Sequence, residues 1–124
     1  MTEEPILDGE FVLVVDDEQG IRELLTELVQ MAGCRAVVAA NGAEALQVLS
    51  AHRPCLIIVD LLMPVMSGFD LLESLARDPG LTAIPVIILT SAPEQAPGGY
   101  PLLPKPIDID ALWDLMRGTC RCSP

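Results

Sequence analysis

An α/β fold, a parallel sheet with helices on both faces, is the class this 124-residue sequence predicts. Three observations carry the prediction. Short unbroken apolar runs rich in Val and Ile recur along the chain, as in strands covered on both faces. Stretches of helical periodicity separate them, and strands alternating with helices at these lengths build a parallel sheet. Gly, Pro and Asn fall at the junctions, where the chain must turn.

The first ten residues are polar and read as a loose lead-in. Phe11–Val15 is the first strand, and it runs straight into Asp16-Asp17-Glu18. Ile21, Leu24, Leu25, Leu28 and Val29 then recur at helical spacing with polar residues between them, and Gly33 is a natural end for that helix. Arg35–Ala40 is a short strand, Asn41-Gly42 a turn, and Ala43–His52 a second helix stopped by Pro54. His52 is read as a surface residue. Cys55–Val59 repeats the opening pattern, an apolar run closed by a carboxylate, Asp60. A loop follows, Leu61-Leu62-Met63-Pro64-Val65-Met66-Ser67-Gly68. Phe69, Leu71, Leu72 and Leu75 then line a third helix that ends before Pro79-Gly80. Ile84–Thr90 is a fourth strand ending in a hydroxyl. Ser91–Tyr100 holds Pro93, Pro97, Gly98 and Gly99, so no regular helix is expected there, at most one turn. A short strand at Leu102–Leu103 closes on Lys105-Pro106. Asp108 caps a last helix whose apolar face is Ile109, Leu112, Trp113, Leu115 and Met116, ended by Gly118. The expected organisation is one domain over 11–118, with a short tail at 119–124.

Composition narrows the function. Hydrophobic residues make up 51% of the chain and aromatics 3%, so the core must be aliphatic. The net charge of −11 argues against direct contact with a nucleic-acid backbone and fits a cation site or a basic partner. No apolar run reaches membrane-spanning length, and the acidic N-terminus is unlike a signal peptide. Cys34 and Cys55 lie in or beside apolar segments and read as small hydrophobes. Cys120 and Cys122 could bind a metal or oxidise, but two ligands do not fill a metal site. A cytoplasmic, reducing setting is the expectation.

The residues at the strand ends are Asp16, Asp17, Asp60, Thr90 and Lys105. Open α/β sheets bind ligands at the carboxyl ends of their strands. Neighbouring carboxylates repel and gain from a hard divalent cation such as Mg²⁺. A lone aspartate beside such a site can attack a phosphoryl group and form an acyl phosphate. Asp60 stands alone and is the better nucleophile, whereas Asp16 and Asp17 suit the metal. Lys105 would neutralise charge on the transferred oxygens, and Thr90 would offer them a hydroxyl donor. Singly, each has a plainer role: Asp16 and Asp17 could start a turn, Asp60 and Thr90 could cap, and Lys105 could be a surface charge.

These pieces resemble the receiver domain of two-component response regulators. The motifs are Val14-Val15-Asp16-Asp17-Glu18, Val59-Asp60-Leu61-Leu62-Met63-Pro64 through Gly68, Ile88-Leu89-Thr90-Ser91-Ala92, and Leu103-Pro104-Lys105-Pro106. The likeness runs from about Phe11 to Met116. It implies a flavodoxin-like, doubly wound five-stranded sheet of order 2-1-3-4-5. It also implies Asp60 as phosphoacceptor, loaded by a histidine kinase or histidine phosphotransfer protein. Mg²⁺ (or Mn²⁺) would sit on Asp17, Asp60 and the Leu62 carbonyl, with Asp16 acting through a water. Thr90 and Lys105 would bind the phosphoryl group, with a cis Lys105–Pro106 bond. Output would pass to an unidentified protein, with no nucleic acid or membrane contacted directly.

Two departures stand out. Thr90 and Lys105 are 105 − 90 = 15 positions apart, fewer than the family usually has. The missing length falls where its fourth helix belongs. The family's Tyr or Phe three positions before the lysine is here Leu102, with Tyr100 out of register. Phosphorylation chemistry with an altered output surface is therefore expected, and Ser91–Tyr100 is either a segment that reorders on phosphorylation or a passive loop. Two rivals remain: a pseudo-receiver that is never phosphorylated, and a Mg²⁺-dependent phosphohydrolase. The second would need an acid–base residue two positions after Asp60, where Leu62 stands.

Overall fold

The computed structural model describes residues 11–119. Its elements are β1 (Phe11–Val15), α1 (Gln19–Met31), β2 (Arg35–Ala39), α2 (Gly42–Leu49), β3 (Leu56–Val59), α3 (Gly68–Arg77), β4 (Val86–Thr90), β5 (Leu102–Pro104) and α4 (Ile109–Thr119). All strands are parallel, in the order β2-β1-β3-β4-β5. The strand runs are unbroken because alternate residues serve two cores. Phe11, Leu13, Val15, Ile57, Val59 and Ile88 pack with α2 and α3. Val12, Val14, Leu56, Ile58, Ile87 and Leu89 pack with α1 and α4 on the other face.

Several element ends differ from the sequence reading by one to three residues, and two of the starts have a local cause. The Asn41 side chain accepts the Glu44 backbone N–H at 2.9 Å, so Asn41 caps α2 and Gly42 is its first helical residue. β4 begins after Pro85, which has no N–H for a ladder. Gly33, at φ +88°, ends α1 as expected. Gly118 does not end α4, which continues to Thr119; only Gly33 and Gly99 take a positive φ among the described glycines. Asp108 caps α4, its carboxylate accepting the Ala111 N–H at 3.1 Å.

Between β4 and β5 there is no helix beyond one 3₁₀ turn, Pro93–Gln95, as the Pro and Gly content predicts. Two prolines without N–H groups and Gly99 at φ +94° leave no run able to close helical hydrogen bonds.

The reading of Cys34 and Cys55 as plain small hydrophobes needs correction. They lie in or against the core, but both are disulfide-bonded, and no cysteine is free among the described residues. Hydropathy scores a bonded and a free cysteine alike, and pairing depends on where distant segments meet. The thiol-based argument for a reducing setting therefore falls. The expected lead-in at 1–10, and Cys120 and Cys122, lie outside the described residues. No helix among the described residues is long and apolar enough to cross a membrane.

Candidate functional site

The carboxyl ends of β1 and β3 adjoin at the point where the strand order reverses, the usual ligand crevice of such a sheet. β1 delivers Asp16 and β3 delivers Asp60; their side chains are 1% and 5% exposed. β4 contributes Thr90, fully buried. Lys105 follows β5, and its backbone N–H bonds to the Thr90 carbonyl at 2.8 Å.

The Lys105 side chain, 12% exposed, reaches back across the sheet ends. Its Nζ lies 2.8 Å from Asp16 Oδ2, 3.2 Å from Asp60 Oδ2 and 3.5 Å from Glu18 Oε1. It is no surface charge. Burial works to lower its pKa, but the bonds and charges of Asp16 and Asp60 outweigh burial and raise it. Asp16 starts the turn and also makes a contact across the fold. Its Oδ1 accepts the Glu18 N–H at 2.9 Å, shaping the turn into α1, while its Oδ2 holds Lys105. Arg22 donates to the Asp16 carbonyl at 2.8 Å and fixes that turn from the helix side. Asp60 does not cap a helix: its Oδ1 accepts the Leu62 N–H at 3.2 Å, and α3 is capped by Ser67. The Thr90 oxygen accepts the Ala92 N–H at 3.1 Å, so its own proton can still serve as a donor.

Asp16, Asp17 and Glu18 place carboxylate oxygens within 4.8 Å of one another. Such a set of hard oxygen donors suits Mg²⁺ or a similar ion. Asp17 and Glu18 are exposed and Asp16 is buried, so the group opens to solvent on one side. Nothing in the sequence marks Glu18 beyond its motif, because its place beside Lys105 depends on a contact across the fold. The Lys105–Pro106 bond is cis.

Burial raises the Asp60 carboxyl above its ordinary 3.8; the Leu62 N–H and Lys105 lower it, and the Asp16 charge adds to the rise. An acid with a higher pKa folded than unfolded contributes stability fully present below its unfolded pKa and lost as pH rises through the folded one. Asp60→Asn in metal-free buffer should therefore raise the melting temperature at pH 7, with the gain vanishing below pH 3.8. Melts of both proteins across pH, with chelator present, test this. A variant less stable than the parent at pH 7 would contradict it.

The loop after Asp60 carries an uncommon backbone. Val65 is 86% exposed at φ +71°, a region β-branched residues avoid. The neighbouring Met66 carbonyl accepts the Gly42 N–H at 2.9 Å, which ties the loop to the start of α2. Val65→Gly should raise stability by about 1 kcal/mol, the order of the left-handed penalty, read as a higher denaturant midpoint.

Fold and site together define a doubly wound α/β domain with an acidic, lysine-bridged pocket at its switch point. The model of the response regulator receiver domain matches residues 12–117, and the chain belongs to that family. It is 38% identical over 87 residues to the phosphate regulon transcriptional regulatory protein PhoB of Pseudomonas aeruginosa, covering 70% of this chain and 38% of that protein. It is 34% identical over 117 residues to sporulation initiation phosphotransferase F of Bacillus subtilis, covering 88% of this chain and 92% of that one. The chain thus spans well under half of the first relative and nearly all of the second. Among solved structures, the Vibrio cholerae chemotaxis protein CheY4 matches with a TM-score of 0.77 at 29% identity, over 92% of this chain and 99% of that one. Receiver domains of this kind are signalling domains, not metabolic enzymes.

Proposed function

We propose that this domain is a phosphorylation-dependent switch of a two-component or phosphorelay pathway, with Asp60 as the phosphoacceptor. The observation that carries the reading is the shared ammonium: Lys105 Nζ sits between the buried carboxylates of Asp60 and Asp16. An Asp60 oxygen bonds to phosphorus as the P–N bond of a donor phosphohistidine breaks, and the imidazole leaves. Lys105 turns from its carboxylates to the new phosphoryl oxygens, and the Thr90 hydroxyl donates to them. Asp17, Asp60 and the Leu62 carbonyl, with Asp16 through a water, would hold Mg²⁺ or Mn²⁺, which supplies positive charge against the phosphoryl oxygens. Leu62, 43% exposed, offers no proton for hydrolysing a small ester, which disfavours a phosphohydrolase.

The donor is a histidine kinase or a histidine phosphotransfer protein. Beside the pocket, an apolar hollow of about 480 Å³ is walled by Ile21, Leu24, Pro106 and Ile107, with Glu18 and Lys105 on it. Such a surface suits a helix carrying the phosphohistidine. The phosphotransferase name of the Bacillus subtilis relative agrees with a relay role. Output is by contact with another protein, and the net charge of −11 disfavours nucleic acid. We place the domain in the cytoplasm on the strength of its donor class; the bonded cysteines lend that placement no support.

The test is intact-protein mass after treatment with acetyl phosphate and Mg²⁺. One added phosphoryl group is expected, absent without Mg²⁺ and absent in Asp60→Ala. If a phosphohistidine donor also failed while Mn²⁺ still bound, the pseudo-receiver reading would replace this one.

A further inference from the structure

The two faces of the sheet are covered unequally. α1 and α4 lie on one face. On the other, α2 and α3 pack with β1 and β3, while the segment from Ser91 to Pro101 offers β4 and β5 only Ala96, Tyr100 and one 3₁₀ turn. Two adjoining hollows of about 190 and 350 Å³ lie along this side, and Tyr100 lines both. Their apolar walls include Phe69, Leu72, Ala76, Ile84 and Pro97. The groove follows α3, whose ten residues span about 15 Å. It therefore takes an element about three helical turns long.

We propose that this groove binds a basic amphipathic helix of a partner protein, whose apolar face packs on Phe69, Leu72, Ala76 and Tyr100. Helix-in-groove recognition needs a few apolar anchors at i, i+3/i+4 and i+7, and adjoining hollows supply their seats. Charge selects the occupant. Glu73 forms part of the wall, and Asp70 and Glu94 are exposed on the flanking elements. Glu73 is ion-paired with Arg77, the one cation on α3, so that pair is neutral and Asp70 and Glu94 leave the rim net negative. A second copy of the chain would bring another net charge of −11 to an acidic rim. Residues 1–10 hold four acids, Glu3, Glu4, Asp8 and Glu10, and neither Lys nor Arg. A basic partner helix meets both requirements, apolar and electrostatic. The site is separate from the phosphoacceptor pocket, and the proposal does not rest on phosphorylation.

The probe is a synthetic helix of about 18 residues with Leu on one face and Lys on the other, titrated into the full unphosphorylated chain. A Leu/Glu helix serves as its counterpart. Amide shift mapping should place the Leu/Lys footprint on α3 and Ser91–Pro101, and the Leu/Glu helix should bind at least about tenfold more weakly. Ala76→Glu blocks the groove while adding negative charge. Docking in the groove predicts about a tenfold loss of affinity; attraction to an acidic surface alone predicts equal or tighter binding. Gln47→Glu on the exposed side of α2 adds the same charge elsewhere and should leave affinity within about twofold. Absent binding, a footprint elsewhere, equal binding of the Leu/Glu helix, or undiminished binding to Ala76→Glu would each overturn the proposal.

Discussion

Gly68→Ala should destabilise this domain by about 3 kcal/mol, at the severe end for a single methyl group. A Cβ at Gly68 would lie 2.2 Å from the Asp60 carbonyl oxygen, 2.7 Å from Leu61 Cα and 2.9 Å from the Asp60 carbonyl carbon. All three neighbours are backbone, so no side chain can swing aside. Relief requires moving the chain at Asp60 itself, or displacing the start of α3 and its Ser67 cap. The urea midpoint should fall by roughly 1–2 M. The fraction still folded should take up phosphoryl groups more slowly than the parent, because the acceptor has shifted. Gly20→Ala is the control. A Cβ there meets nothing within 4 Å, and Gly20 lies in α1, so stability should hold or rise slightly. Equal midpoints for Gly68→Ala and the parent would refute the close approach.

Lys105→Ala ranks second, with an expected loss of about 3 kcal/mol at pH 7 in metal-free buffer. Removing one partner of a buried charge cluster leaves the others without compensation. Asp16 and Asp60 would share a crevice with no ammonium between them. The estimate takes the low end for buried pairs because Lys105 keeps some contact with solvent. The pH dependence has a definite sign. The raised Lys105 pKa means its stabilisation is complete below its ordinary 10.5 and is lost as pH rises through the folded value. At acid pH, where Asp60 is protonated, the variant's deficit should shrink. Adding Asp60→Asn to Lys105→Ala should recover part of the loss, because the second uncompensated charge is gone. Additive effects in that cycle would show that the two groups do not interact.

The helix missing between β4 and β5 was visible in the sequence because two prolines and two glycines in ten residues forbid a regular hydrogen-bond ladder. The paired strand ends were visible too. Each apolar run that closes on a polar residue marks where a buried strand reaches the sheet edge, as Asp16, Asp60 and Thr90 show. The grouping of Asp16 with Glu18 was not visible, since adjacent side chains in a turn need not converge. Val65 looked like an ordinary loop residue. Its left-handed backbone sits in a loop closed by the Gly68 N–H on the Leu61 carbonyl and tied to α2 by the Met66 carbonyl on Gly42, contacts that no local pattern encodes.

What the sequence determined by itself was local. Apolar runs and helical periodicity set which segments are strands and helices, and composition set an acidic aliphatic domain with a broken connection before β5. The tertiary structure decided everything that needs distant residues in one place. Lys105 meets Asp60 across 45 positions and Asp16 across 89, and divides its ammonium between them. Cys34 and Cys55 are bonded where hydropathy saw two small apolar residues. Tyr100 became the shared wall of a groove along α3. Periodicity records how one segment divides between core and solvent. It holds no information on separations between segments, and those separations set the charges, bonds and cavities of this domain.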